Sequence, residues 1–128
     1  MSNSILVLLV VLQVKHFLAD FPLQTVYMLG KGKKGLEWIL PLGAHCSVHM
    51  ILTGMIIAVY RPSMLWVAVA EFVAHFIIDR VKATYKLPVG QWANEEKGKY
   101  LSKYYFAFGL DQMSHQFCYI VIAYLLAN

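Results

Sequence analysis

Charged residues are scarce in this sequence. Asp, Glu, Lys and Arg make up only 14% of its 128 residues, against about 25% in ordinary soluble domains. The net charge is +4, but the basic residues flank apolar segments and do not form the basic face that binds nucleic acids, so we expect no nucleic-acid partner. The two cysteines, Cys46 and Cys118, lie in apolar segments without metal or redox spacing. We therefore expect reduced, buried thiols.

Hydrophobic residues, by contrast, make up 59% of the chain and are concentrated in four blocks. Each block is long enough for the roughly 20 residues that a helix needs to cross a bilayer. The blocks are apolar on nearly every face, which disfavours the alternative of a soluble helical bundle. The sequence therefore predicts one all-α domain, a four-helix transmembrane bundle in the lipid bilayer. The expected spans are about 4–29, 37–60, 62–86 and 104–126, joined by connections at 30–36 and 87–103.

The basic residues are distributed unequally between the two ends of this predicted bundle. The connections 30–36 and 87–103 and the end of the third span carry most of them, while Arg61 lies alone at the other end. Positive residues accumulate on the cytoplasmic side of membrane proteins. We therefore expect both connections in the cytoplasm and both termini outside it. No motif decides whether the protein forms homo-oligomers.

Ionisable residues recur at intervals of four within the apolar blocks. Residues four apart lie on the same face of an α-helix, and ionisable groups inside a membrane helix usually mark a functional site. All five histidines and all three aspartates belong to such pairs. In the predicted topology every pair lies near the cytoplasmic end of its span. The pairs are His16/Asp20, His45/His49, His75/Asp79 and Asp111/His115.

The direction of each helix divides these residues into two layers, one turn or roughly 6 Å apart. Imidazole and carboxylate groups together suit Zn²⁺, Mn²⁺ or Fe²⁺, and four inward-facing helices can build a two-metal centre. We predict that the eight residues bind one or two divalent ions, with zinc the first choice, or that some aspartates orient ligand histidines. The deeper layer is His16, His49, His75 and His115, and the outer layer is Asp20, His45, Asp79 and Asp111.

Three further polar residues, Thr53, Glu71 and Tyr119, are expected one turn deeper still. Glu71 is a candidate to hold a histidine tautomer or to relay a proton. Lys15 is expected to extend to the membrane surface or to pair with an aspartate. The alternative to a metal site is a hydrogen-bonded network that ties the helices together. Clustered carboxylates without a cation would repel one another, which favours the metal site.

Three segments carry a resemblance to known proteins: HFLADFPLQ at 16–24, HFIIDRVK at 75–82 and DQMSH at 111–115. Together with the region around His45, they resemble a family of small prokaryotic and phage membrane proteins of unknown function. The chain is also distantly similar to bacterial inner-membrane proteins described as metal-dependent hydrolases. The resemblance covers most of the chain, leaving out the 84–103 segment. It implies a multi-pass protein of the bacterial inner membrane, encoded by the host or by a phage.

These expectations favour a membrane-embedded metal-dependent hydrolase. A bound ion would activate water and polarise a phosphoryl or carbonyl oxygen, with Asp20, Asp79 or Asp111 bridging ions or acting as a base. A lipid or lipid-linked phosphoester is the expected substrate, because basic residues at the cytoplasmic surface attract anionic headgroups. The alternatives are a di-iron or dimanganese oxidoreductase, a metal carrier, a heme bundle and a structural partner of other membrane proteins. The basic residues are Lys31, Lys33, Lys34, Arg80 and Lys82.

Overall fold

A computed structural model describes the backbone of residues 3–84 and 95–128, and the side chains of residues 4–84 and 105–128. Within these ranges the chain is all-helical and contains no strand, as the sequence predicts. The first part of the predicted connection 87–103 lies outside the described residues. Two short 3-10 helices, Met28–Gly32 and Pro62–Met64, lie between the α-helices. The α-helices are α1 (Asn3–Asp20), α2 (Ile39–Tyr60), α3 (Trp66–Thr84) and α4 (Glu95–Ala127).

The first helix is shorter than the apolar block that contains it. It ends at Asp20, because Pro22 has no N–H to donate and its ring clashes with the preceding turn. The carbonyl of Leu18, which Pro22 would leave without a donor, instead accepts a hydrogen bond of 2.9 Å from the N–H of Leu23. The chain then turns, and the 3-10 helix Met28–Gly32 packs against α2 and α3.

The four α-helices form a closed arrangement in which each helix packs against two others. The packed pairs are α1 with α2, α2 with α3, α3 with α4, and α4 with α1. At one end of α2, the Arg61 guanidinium donates a 3.1 Å hydrogen bond to the carbonyl of Leu125 in α4. This contact ties the α2–α3 turn to the C-terminal end of the bundle.

The interior of the bundle is divided along its length. Near the chain termini it is an apolar core, whereas the opposite half buries Lys15, Glu71 and all five histidines. The ends of α1 and α3 and the start of α2 lie at this polar half. The apolar core contains Leu8, Leu12, Ile57, Val67, Ala68, Tyr119, Ile122, Ala123 and Leu126.

The outer surface of the bundle is apolar along the described side chains of every helix. One apolar side chain from each helix serves as an example, and each is more than half exposed: Leu6, Met55, Val73 and Phe117. Among the helical residues with described side chains, no exposed position is charged. One helix in the described part of the chain, α2, is long and apolar enough to cross a membrane by length and composition. The four-span topology stays a prediction.

We predict that Leu12→Ala lowers the free energy of unfolding by about 2–5 kcal/mol, because truncating a buried leucine leaves a cavity. The Leu12 side chain has no exposed surface. Denaturant unfolding in detergent micelles, followed by circular dichroism, measures the loss. Val10→Ala is the matched control on the same helix: Val10 is 54% exposed, and its replacement should change the stability by less than about 0.5 kcal/mol. Equal losses in the two variants would contradict the assigned core.

Candidate metal centre

Four histidines, one from each helix, lie at the same level of the bundle. Each imidazole contacts the next one around the bundle. The distances between ring centroids are 5.5 Å for His16–His49, 3.8 Å for His49–His75, 4.0 Å for His75–His115 and 5.3 Å for His115–His16. His45 lies one turn along α2, with its centroid 4.8 Å from His49 and 5.4 Å from His75. The predicted deeper layer of histidines therefore exists as a contiguous cluster.

Asp20 connects α1 to the two histidines of α2. Its Oδ1 accepts a 2.9 Å hydrogen bond from Nε2 of His49 and lies 3.5 Å from Nε2 of His45. Its Oδ2 lies 3.3 Å from Nε2 of His16 on its own helix. In the described structure no lysine or arginine forms a salt bridge with Asp20. The described ion-pair partners of this carboxylate are all histidines.

Asp79 lies between α2 and α4. Its Oδ1 accepts a 3.2 Å hydrogen bond from Nε2 of His115 and is 3.7 Å from Nε2 of His75. Its Oδ2 is 3.3 Å from Nε2 of His45 and 2.6 Å from the ammonium group of Lys31, which comes from the 3-10 helix Met28–Gly32. The 3-10 helix therefore adds a cation to a site that is otherwise built from the four α-helices.

Asp111 also forms a salt bridge with a lysine. Lys82 Nζ donates to its Oδ2 at 2.8 Å, and Gln112 Nε2 donates to the same oxygen at 3.0 Å. Its Oδ1 lies 3.5 Å from Nε2 of His115. The side chains of Lys82 and Lys31 are 22% and 17% exposed, so both ammonium groups lie between the buried carboxylates and the surface.

A third polar level lies deeper in the bundle. Lys15 forms a salt bridge with Glu71, and both side chains are buried. Its ammonium group also donates to the hydroxyl of Tyr119 at 3.3 Å. The expectation that Lys15 extends to the surface or pairs with an aspartate was wrong, because Glu71 on α3 comes within reach of α1. Thr53 on α2 completes this level and is fully buried.

Several buried polar atoms of the cluster have no hydrogen-bond partner among the described residues. His45 and His75 make no hydrogen bond through either ring nitrogen, and Asp111 Oδ1 has no donor. Buried polar groups in folded proteins are nearly always paired, and leaving one unpaired costs about 1–3 kcal/mol. Buried polar atoms without a hydrogen-bond partner are therefore concentrated in this cluster.

The donor atoms converge into two groups with metal-ligand spacing. In each group the candidate ligand atoms lie within 4.8 Å of one another, and the mixture of imidazole and carboxylate suits zinc, manganese or iron. His75 is common to both groups. His16 and Asp111 belong to neither, although the sequence predicts both as ligands. The first group is Asp20, His45, His49 and His75, and the second is His75, Asp79 and His115.

The sequence pattern located the cluster but missed several of its members. All eight predicted ligand residues lie in one connected set of contacts. Glu71, predicted to act on a histidine, reaches the histidines only through Lys15 and Tyr119. The contact of Lys31 with Asp79 and the pairing of Lys15 with Glu71 were not predicted from the sequence. Lys15 could have been recognised by the rule that singled out Glu71, since it is also an ionisable residue inside an apolar helix.

The fold and the cluster together define a class: an all-helical protein with a buried histidine and aspartate centre. The chain belongs to the DUF3307 family, described as a protein of unknown function, whose model matches residues 8–128. The match includes all of the cluster residues. No curated protein and no solved structure matches the chain.

We predict that Lys15→Met lowers the free energy of unfolding by about 3–5 kcal/mol, because it leaves the buried Glu71 carboxylate unpaired. The double variant Lys15→Met/Glu71→Met removes both charges and should recover most of this loss. Thermal unfolding of the detergent-solubilised proteins compares the three. Lys33→Met, at a largely exposed position, is the control and should match the wild type. A double variant no more stable than Lys15→Met would show that the ion pair is not the cause.

Proposed function

We propose that the protein is a membrane-embedded, metal-dependent hydrolase that acts on a phosphoester or lipid-linked substrate at the cytoplasmic leaflet. The observation that carries the proposal is the buried cluster of imidazole and carboxylate groups with unpaired donor atoms. It lies inside a bundle whose outer surface is apolar. The proposal has three parts, which are the membrane, the metal and the substrate.

The placement of charge supports a membrane environment. Described charged side chains on the helices are buried or half-buried, while the exposed positions of the same helices are apolar or uncharged. A soluble protein rarely exposes contiguous apolar surface over several hundred Å². The exposed lysines Lys33 and Lys34 lie in the α1–α2 connection, at the end of the bundle that carries the cluster. The tendency of basic residues to remain in the cytoplasm would place that end inside and both termini outside.

The unpaired atoms support a metal. A network that merely joined helices would satisfy its members, yet both ring nitrogens of His45 and His75 have no hydrogen-bond partner. Asp20, which has no lysine partner in the described structure, faces these histidines. The two groups would hold one or two divalent ions, with His75 in both. Such an ion, when bound, would acidify a water molecule and polarise a phosphoryl oxygen.

The remaining side chains support an anionic substrate. Lys31 and Lys82 each donate to a carboxylate oxygen of the cluster and are partly exposed, so each can also reach a group that arrives from the surface. An ammonium group neutralises phosphate charge, and both lysines lie beside the aspartates that would take up or release a proton. Gln24 Oε1 accepts from Lys31 at 3.3 Å, which fixes the direction of that side chain.

The heme alternative is disfavoured by the spacing of the rings. His49, His75 and His115 are in direct ring contact at 3.8 and 4.0 Å, which leaves no space for a porphyrin between them. Three neighbouring aspartates would also have no role in that site. An iron or manganese oxidoreductase would use the same ligands as the hydrolase, and the identity of the bound metal separates the two.

We predict that the protein purified in detergent without chelators contains one or two equivalents of zinc or manganese. His75→Ala should lose all of it, because His75 belongs to both ligand groups. Elemental analysis by inductively coupled plasma mass spectrometry gives the stoichiometry. Cys118→Ala, a half-buried thiol on α4, is the control and should retain the wild-type content.

Three results would contradict this prediction, in two different ways. Full metal occupancy in His75→Ala, or no metal in the wild type, would remove the metal centre and the hydrolase with it. Stoichiometric iron, lost in His75→Ala, would preserve the centre and assign it to oxidoreductase chemistry.

We predict that Lys31→Ala and Lys82→Ala raise the KM for an anionic phosphoester by about tenfold or more, because each removes a charge-assisted hydrogen bond worth about 1.5–3 kcal/mol. Hydrolysis of chromogenic phosphomonoesters and phosphodiesters by the metal-loaded protein measures the effect. Lys33→Ala, whose side chain is more than half exposed and pairs only with Glu37 among its described salt bridges, should raise KM much less than Lys31→Ala or Lys82→Ala. The same rise in all three variants would indicate a general surface-charge effect in place of a binding site.

A further inference from the structure

His16 differs from the other histidines of the cluster in its partners. Its Nδ1 lies 2.8 Å from the hydroxyl of Tyr119, and its Nε2 lies 3.1 Å from Oε1 of Gln112. Both ring nitrogens therefore have partners outside the carboxylates. His49, by contrast, is hydrogen-bonded only through Nε2, to Asp20, and its Nδ1 has no partner among the described residues.

The contact with Tyr119 fixes which nitrogen of His16 accepts. An ammonium group can only donate, so the Tyr119 oxygen accepts from Lys15 at 3.3 Å. The single hydrogen of the tyrosine then has His16 Nδ1 as its only acceptor in the described contacts. A neutral imidazole has one accepting and one donating nitrogen. His16 therefore accepts at Nδ1 and carries its hydrogen on Nε2.

The contact of Nε2 with Gln112 leads to the same assignment of the His16 hydrogen. The Gln112 amide nitrogen donates to Asp111 Oδ2 at 3.0 Å, so the amide oxygen is the atom that faces His16. His16 Nε2 is therefore surrounded by acceptors, Gln112 Oε1 at 3.1 Å and Asp20 Oδ2 at 3.3 Å. A hydrogen on Nε2 satisfies this arrangement, whereas a lone pair there would face two oxygens.

Binding a metal through Nε2 would break this pattern. Nδ1 would then carry the hydrogen and donate to Tyr119, whose oxygen already accepts from Lys15. The hydrogen of the tyrosine would have no acceptor among the described contacts. A buried hydroxyl without a partner is unfavourable. The arrangement of Lys15 and Tyr119 thus opposes His16 as a ligand.

We propose that His16 is a positioning residue that acts through Asp20 and is not a metal ligand. Tyr119, held by Lys15 and Glu71, keeps the hydrogen of His16 on Nε2. That N–H donates to Oε1 of Gln112 and also faces Oδ2 of Asp20 at 3.3 Å, so its attraction holds this oxygen in place and leaves Oδ1 directed at His45 and His49. Histidine and carboxylate partners of this kind commonly orient metal ligands. The inference rests on the proposed metal centre for the role of Asp20, while the tautomer of His16 can be measured without metal.

The first experiment is ¹⁵N NMR of the detergent-solubilised protein labelled at histidine, in the metal-free and zinc-loaded states. The His16 signals are those that the variant His16→Gln loses. The expected result is hydrogen on Nε2 in both states, with Nδ1 unprotonated and hydrogen-bonded. A zinc-loaded His16 with its hydrogen on Nδ1 would overturn the proposal.

The role of Tyr119 is tested by Tyr119→Phe, which keeps the ring and removes the hydroxyl. The expected result is a change of the His16 Nδ1 shift towards the value of a nitrogen without a hydrogen-bond donor, with unchanged circular dichroism. Tyr124→Phe is the matched control, because Tyr124 lies on the same helix and is 58% exposed. Identical His16 shifts in Tyr119→Phe and the wild type would exclude Tyr119 as the group that holds the ring.

The second experiment compares the zinc content and affinity of His16→Gln, His75→Ala and the wild type. His16→Gln should keep the wild-type number of equivalents and bind them about 10- to 100-fold more weakly, as for other residues that orient ligands. Loss of an equivalent in His16→Gln would make His16 a ligand and overturn the inference. Retention of all metal in His75→Ala would instead overturn the proposed centre, and the metal-free NMR spectrum would still decide the tautomer.

Discussion

The neutralisation of buried carboxylates is the constraint on which this structure depends. Each of three carboxylates has one lysine: Glu71 has Lys15, Asp79 has Lys31, and Asp111 has Lys82. A charge taken out of water is stable only when it is paired and hydrogen-bonded. The lysines come from α1, the 3-10 helix Met28–Gly32 and α3, so the pairing also connects separate parts of the chain. Asp20 is the exception, since its partners are histidines.

Because of this exception, the carboxylate charges are paired unequally across the cluster. Asp79 and Asp111 each form a salt bridge with an ammonium group, whereas Asp20 forms none with a lysine or arginine in the described structure. The same region contains ring nitrogens without hydrogen-bond partners. In the proposed metal centre, an external cation would balance the charge and bind these atoms together. The four-residue group that includes Asp20 is therefore the better candidate of the two for a tightly bound ion.

The sequence predicted more of the site than of the connections. Intervals of four placed the histidines and aspartates on inward faces, because the helical period decides which residues share a face. The all-helical fold followed from the same apolar blocks. The end of α1 at Asp20 was harder to predict from the sequence. The apolar residues continue past Pro22, whereas the helical backbone cannot. The contact of Lys31 with Asp79 depends on how the segment after Pro22 folds back over α2 and α3, which no local pattern encodes.

Lys15 shows why one polar level was only partly visible in the sequence. On α2, α3 and α4, the residue four positions deeper than the histidine is polar: Thr53, Glu71 and Tyr119 respectively. On α1 that position is Leu12, which belongs to the apolar core. Lys15 is next to His16 in sequence, roughly 100° away around the helix, and its long side chain reaches the level of Glu71 and Tyr119. Periodicity locates side chains that point straight inward, whereas a flexible lysine can contribute to a buried network from an adjacent face.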